Sequence, residues 1–88
     1  MGMKKQTSAL TTRTADMIRW QFRMRNLMLT CGVSRLANRE FSVVTLPHWD
    51  IQRAVVETFA DPASALQRHA EIVDRLRATG WSIEAYTA

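Results

Sequence analysis

One cysteine, two prolines, three glycines and one tyrosine are all that this chain of 88 residues holds of those types, and each scarcity excludes something. A lone Cys31 cannot close an intramolecular disulfide and has no second thiol for a cysteine-type zinc site. With only two histidines, His48 and His69, and no clustered carboxylates, a metal centre built by the protein is not expected. The glycines stand at positions 2, 32 and 80 with no common spacing, so there is no glycine-rich phosphate loop. No apolar stretch approaches the roughly 20 residues of a membrane span.

Acid is missing from the first fifteen residues, which carry Lys4, Lys5 and Arg13 among Thr and Ser. They contain no apolar run long enough for a signal-peptide core, and Gln6 stands where a myristoylation signal wants Ser or Thr. Residues 1–15 therefore read as a flexible basic tail. A reducing, cytoplasmic setting fits the single thiol and the lack of a secretion signal.

What is present suits a packed domain. Hydrophobic content of 47% and charged content of 23% match soluble globular chains, and the length gives one small domain over residues 16–88. The formal charge is +4, carried mostly by arginine, which suits planar contacts to phosphate or carboxylate.

Ile18-Arg19-Trp20-Gln21-Phe22-Arg23-Met24-Arg25 alternates apolar with long polar side chains. This is the pattern of a half-buried strand, because successive strand side chains point to opposite faces. The alternation predicts a strand over about 17–25 with Ile18, Trp20, Phe22 and Met24 in the core. Leu27 to Val33 reads as an interior strand, 34–39 as a loop, and 40–46 as a β-branched and aromatic strand ended by Pro47. After a turn at 47–50, residues 51–59 alternate again as a fourth strand. Asp61-Pro62 is a helix start, and a stripe of Leu66, His69, Ala70, Ile72, Val73 and Leu76 carries a helix over about 62–79 that Gly80 closes. Residues 81–86 form a short extended end.

The expected fold is thus α+β: an antiparallel four-stranded meander packed by one long C-terminal helix. A rival remains open, since Met17, Trp20, Met24, Leu27 and Met28 also obey helical spacing from a Thr14 cap. Strand is preferred because period two separates every arginine from every apolar residue. The order of four strands then a helix resembles that of small PUR- or Whirly-type single-stranded nucleic-acid binders, which pair through their helices or sheets. That resemblance covers element order alone and implies no residue roles.

Catalysis finds few convergent groups. His48 and Asp50 share a turn, where a local side-chain-to-backbone bond is the ordinary reading; His69 lies on the apolar helix stripe; and Cys31 sits in an apolar strand as a small hydrophobe. A non-enzymatic module without cofactor or metal is expected. Cys31-Gly32-Val33-Ser34-Arg35 resembles the turn of a helix-turn-helix DNA reader, but the recognition helix would fall on β-branched Phe41 to Thr45.

The functional expectation rests on the sheet. Arg19, Arg23 and Arg25 project from the first strand, Arg53 or Gln52 extends that surface from the fourth, and Trp49 in the turn offers a stacking ring. Such a surface contacts single-stranded nucleic acid by charge and stacking. The nucleic-acid-binding module is expected as a homodimer; the alternative is an interaction or inhibitor module that docks on an acidic protein surface or adds a strand to a partner sheet. Three tryptophans and five methionines supply adaptable contact area for that role.

Overall fold

A computed structural model describes residues 13–87, with side chains from Ala15 onward. The tail expected over 1–15 lies outside the described residues up to position 12, while Arg13 to Ala15 already belong to the first strand.

The chain runs β1 (Arg13–Met24), β2 (Leu27–Leu36), β3 (Phe41–Pro47), a 3-10 turn (Ile51–Arg53), β4 (Val55–Phe59), α1 (Pro62–Ala78) and β5 (Ser82–Thr87). All neighbours pair antiparallel in the order β4-β3-β2-β1-β5. The α+β class stands, but the sheet has five strands rather than four. The last segment is a strand that returns beside β1, with Trp20 opposite Tyr86 and Phe22 opposite Ile83.

Three further expectations are corrected. Residues 51–53 are not strand: Asp50 accepts from the Gln52 amide at 3.3 Å, winding the chain into a 3-10 turn, so β4 begins at Val55. Residues 34–36 are not loop, because Ser34 and Arg35 pair with Ser42 and Phe41 and carry β2 to Leu36. The helical rival for 14–29 also fails: these residues form β1 and the start of β2, and 41–47 is strand too, so both helices of the helix-turn-helix alternative are missing.

The helix is set by its ends. Asp61 accepts from the Ser64 amide at 2.8 Å and from the Ser64 hydroxyl at 3.1 Å, and Pro62 fills the first helical position. At the other end Gly80 takes φ 106°, which lets the Trp81 amide reach the Leu76 carbonyl at 3.0 Å and the Gly80 amide reach Arg77 at 3.2 Å. Those reversed bonds turn the chain back toward β1, where the Ser82 hydroxyl donates to the Arg23 carbonyl.

One face of the sheet lies under α1. Phe22, Leu29 and Cys31 pack with Val73, while Val33, Phe41 and Val43 pack with Ala65; Ile72 borders both groups. Of the expected core residues on β1, Phe22 is fully buried, and Ile18, Trp20 and Met24 are half-buried. The helix stripe is rotated from the expected one: Ala65 is buried while Leu66 and Ala70 are exposed. A small residue there lets the helix approach the β2 and β3 valines closely.

Candidate nucleic-acid interface

The opposite face carries no described element. Alternation from buried Phe22 places Arg19, Gln21 and Arg23 of β1 on it, and the register adds Met28, Thr30, Gly32 and Ser34 of β2 with Val44 and Leu46 of β3. Residues 27–33 taken alone look apolar on both sides. Carried on to Leu36, the same stretch alternates Leu29, Cys31 and Val33 with Thr30, Gly32 and Ser34, and this longer pattern is the signal of its polar side.

Arg19 and Arg23 stand four residues apart on one strand, a separation of roughly 13 Å at about 3.3 Å per residue. The Arg19 guanidinium makes no hydrogen bond or ion pair among the described residues. Arg23 meets Glu84 of β5 at 3.2 Å, both side chains being nearly half exposed. An exposed pair of this kind contributes little and exchanges readily for another anion.

The other three expected contact residues lie elsewhere. Arg25 occupies the β1–β2 turn at φ 60°. Arg53 is in the 3-10 turn rather than on a strand, so it does not extend the open face. Trp49 stacks on Trp81 at 5.9 Å and 11° between planes, and Trp81 packs on the helix-side core. Trp49 is therefore not on the face of Arg19 and Arg23. All three belong to the end of the sheet that holds the β1–β2 turn, the β3–β4 connection and the helix C-terminus, where Arg75 and Arg77 occupy the last helical turn. The candidates thus fall into two groups, a pair on the open face and a cluster at its hairpin end.

Sequence reasoning missed a cleft in the open face. It measures about 250 Å³ and is floored by Gly32, Val44 and Leu46, with Asp16, Ser34, Arg19, Thr30 and His48 around it. His48 bonds the Thr30 hydroxyl through Nε2 at 2.7 Å rather than pairing with Asp50, and the Ser34 hydroxyl donates to Asp16 Oδ1 at 3.0 Å.

Three other titratable groups, His69, Cys31 and Arg68, make their contacts on the helix side. His69 is buried, donates from Nε2 to the Cys31 carbonyl at 3.3 Å and meets Trp20 edge-on at 5.3 Å. Burial holds its pKa below the ordinary histidine value, with the carbonyl bond offsetting part of that effect. Burial also pushes the Cys31 thiol up to about 11 against its bond to Thr45, which suits a packing residue and not a nucleophile. Arg68, raised above its usual value chiefly by its bond to Glu57, bridges Glu57 at 2.8 Å and Glu71 at 3.2 Å on the helix side. Among the described residues no three His, Cys, Asp or Glu side chains converge on a metal position. No described helix is long and apolar enough to cross a membrane.

Comparison with protein-family models, with curated proteins and with solved structures finds no match to this chain.

Proposed function

We propose that this protein is a non-enzymatic module that binds single-stranded nucleic acid along its helix-free sheet face. The observation that carries this reading is the placement of Arg19 and Arg23 on that one face, with the Arg19 guanidinium unengaged among the described residues and Arg23 held by an exposed carboxylate and a long bond to the Arg25 carbonyl at 3.5 Å. Two arginines whose backbone positions lie roughly 13 Å apart along a strand can reach phosphates of one extended backbone. Arg25, Arg53 and Trp49 continue the surface around the hairpin end, where the half-exposed indole of Trp49 offers a stacking platform already braced by Trp81.

Fluorescence polarisation with mixed-sequence single-stranded oligonucleotides at two salt concentrations tests the reading. Affinity is expected to fall as salt rises. The double variant Arg19→Glu, Arg23→Glu should weaken binding and flatten the log–log salt slope by about 1.4, at roughly 0.7 per phosphate contact on a single strand. Absence of binding at low salt overturns the proposal.

A second reading has an observation of its own. The β3–β4 connection and the start of β4 expose Trp49, Ile51 and Val55, apolar groups suited to docking on a protein surface beside the basic hairpin end. Co-purification of a stoichiometric protein partner after nuclease treatment, lost on Trp49→Ala with Ile51→Ser, is the expected result under that reading.

A further inference from the structure

We infer that the open-face cleft seats one phosphate group of the bound strand, gripped between the Arg19 guanidinium and the hydrogen-bonded pair of Thr30 and His48. This inference rests on the reading that the face meets nucleic acid, and it names the position at which the backbone is held.

The strand register brings the three groups to one corner. Arg19 stands opposite Gly32 of β2, and Thr30 lies two residues along β2 on the same face. Because Gly32 brings no side chain, the Arg19 side chain can cross that bare position toward Thr30. From the other side His48 arrives just after β3, tied down by its amide to the Met28 carbonyl at 3.0 Å, and its ring meets the Thr30 hydroxyl at 2.7 Å. All three line the same cleft, over a floor of Val44 and Leu46. Its volume of about 250 Å³ falls below the roughly 300–1,000 Å³ of sites for drug-sized ligands, which suits a small group of a longer ligand.

The chemistry of that corner is that of an anion site. Arg19 supplies a planar fork of N–H donors that matches phosphate, and nothing among the described residues occupies it. The Thr30–His48 pair supplies one more donor in either tautomer of a neutral ring. If Nε2–H donates to Thr30 Oγ1, the hydroxyl proton is left for an incoming oxygen; if the hydroxyl donates to Nε2, Nδ1–H is left. Asp16, the acid that lines the cleft, stands at its other end, where it accepts from Ser34. Ser34 is four residues from Thr30 on β2, roughly 13 Å. That separation exceeds the Debye length of about 8 Å at physiological salt, so the exposed Asp16 charge is largely screened at the Thr30 corner, and the seat takes no bond from it.

Amide NMR titrations of the full chain with inorganic phosphate, replacing chloride at constant ionic strength, test the seat. Phosphate should move the amides of Arg19, Thr30, Gly32 and His48 saturably. Arg19→Gln should abolish that response, and Thr30→Val, close in shape, should weaken it about tenfold, the factor for one hydrogen bond to a charged group. Arg39→Gln, which removes an equal charge from the exposed β2–β3 connection, should leave it unchanged. A response spread over many arginines, shifts confined to residues outside the cleft, or equal losses in Arg19→Gln and Arg39→Gln overturn the inference. A mixed-sequence single-stranded oligonucleotide then tells a backbone phosphate from free phosphate: it should move the same amides, and phosphate should displace it more effectively than chloride at equal ionic strength. Oligonucleotide binding with a silent cleft overturns the inference alone; a phosphate-responsive cleft without oligonucleotide binding overturns the broader reading and leaves a site for free phosphate.

Discussion

Gly32 faces the backbone of Ile18 so closely that a Cβ on residue 32 would lie 2.7 Å from the Ile18 carbonyl oxygen. The approach occurs where β1 carries an irregularity between Asp16 and Ile18 and the two strands press together. Backbone, not a flexible side chain, stands in the way. Gly32→Ala should therefore destabilise the fold by about 1–3 kcal/mol, the usual cost of overpacking. For a domain of this size each kcal/mol corresponds to a melting shift of about 4–8 °C, which thermal unfolding followed by circular dichroism will read. An unchanged melting temperature would contradict the close approach.

Burial of His69 makes stability depend on pH in a definite direction. Its folded pKa is depressed, so the unfolded chain binds the proton more readily. Stability from this group is complete above the ordinary histidine value of about 6.5, declines as pH falls below it, and stops changing once pH has passed the lower folded value. Urea midpoints at pH 7.5 and 5.5 should differ, with the lower midpoint at pH 5.5. A His69→Gln variant, able to donate to the Cys31 carbonyl without taking a proton, should show a smaller difference.

Cys31 gives the opposite dependence at the alkaline end. The thiol is fully buried and its pKa stands at about 11, above the ordinary value of about 9, because desolvation penalises the thiolate. A raised folded pKa means that its contribution is complete below pH 9 and is lost as pH rises toward 11. In native buffer at pH 8 the thiol should react with iodoacetamide far more slowly than in denaturant, because both access and the thiolate form require opening. Reaction at the denatured rate would place Cys31 outside the core.

The parts of this fold that are legible in sequence are those fixed by local chemistry. Asp61-Pro62 and Gly80 mark the helix ends because each satisfies backbone groups within a turn, and the alternation from Ile18 to Arg25 marks β1 because burial on one face imposes period two. The pairing of β5 with β1 is not legible: it joins residues about sixty positions apart, from Arg23 with Ser82 to Arg19 with Thr87, and no local pattern encodes it. The rotation that buries Ala65 instead of Leu66 depends on how the helix crosses the β2 and β3 valines, a tertiary property. The candidate site divides the same way. Arg19 and Arg23 follow from alternation, but the cleft needs Asp16, Ser34, Thr30 and His48 from three parts of the chain, and the stacking of Trp49 on Trp81 depends on where the helix returns.

Arg25 separates stability from binding, because it holds the left-handed conformation at φ 60° that favours glycine. For an L residue this region carries a penalty of about 1–2 kcal/mol, part of which glycine gives back through the greater freedom of its unfolded chain. The neighbouring contact from Arg23 Nη1 to residue 25 uses the backbone carbonyl and survives substitution. Arg25→Gly should therefore raise the unfolding free energy by about 0.5–1 kcal/mol. If the Arg25 side chain meets phosphate, the same variant should lose oligonucleotide affinity and about 0.7 of the salt slope. Denaturant melts and salt-dependent polarisation on one preparation read both effects. A stabilised variant with undiminished affinity would remove Arg25 from the interface and confine the contact surface to Arg19, Arg23 and the remaining hairpin-end groups. A loss of both would mean instead that the arginine side chain supports the turn itself.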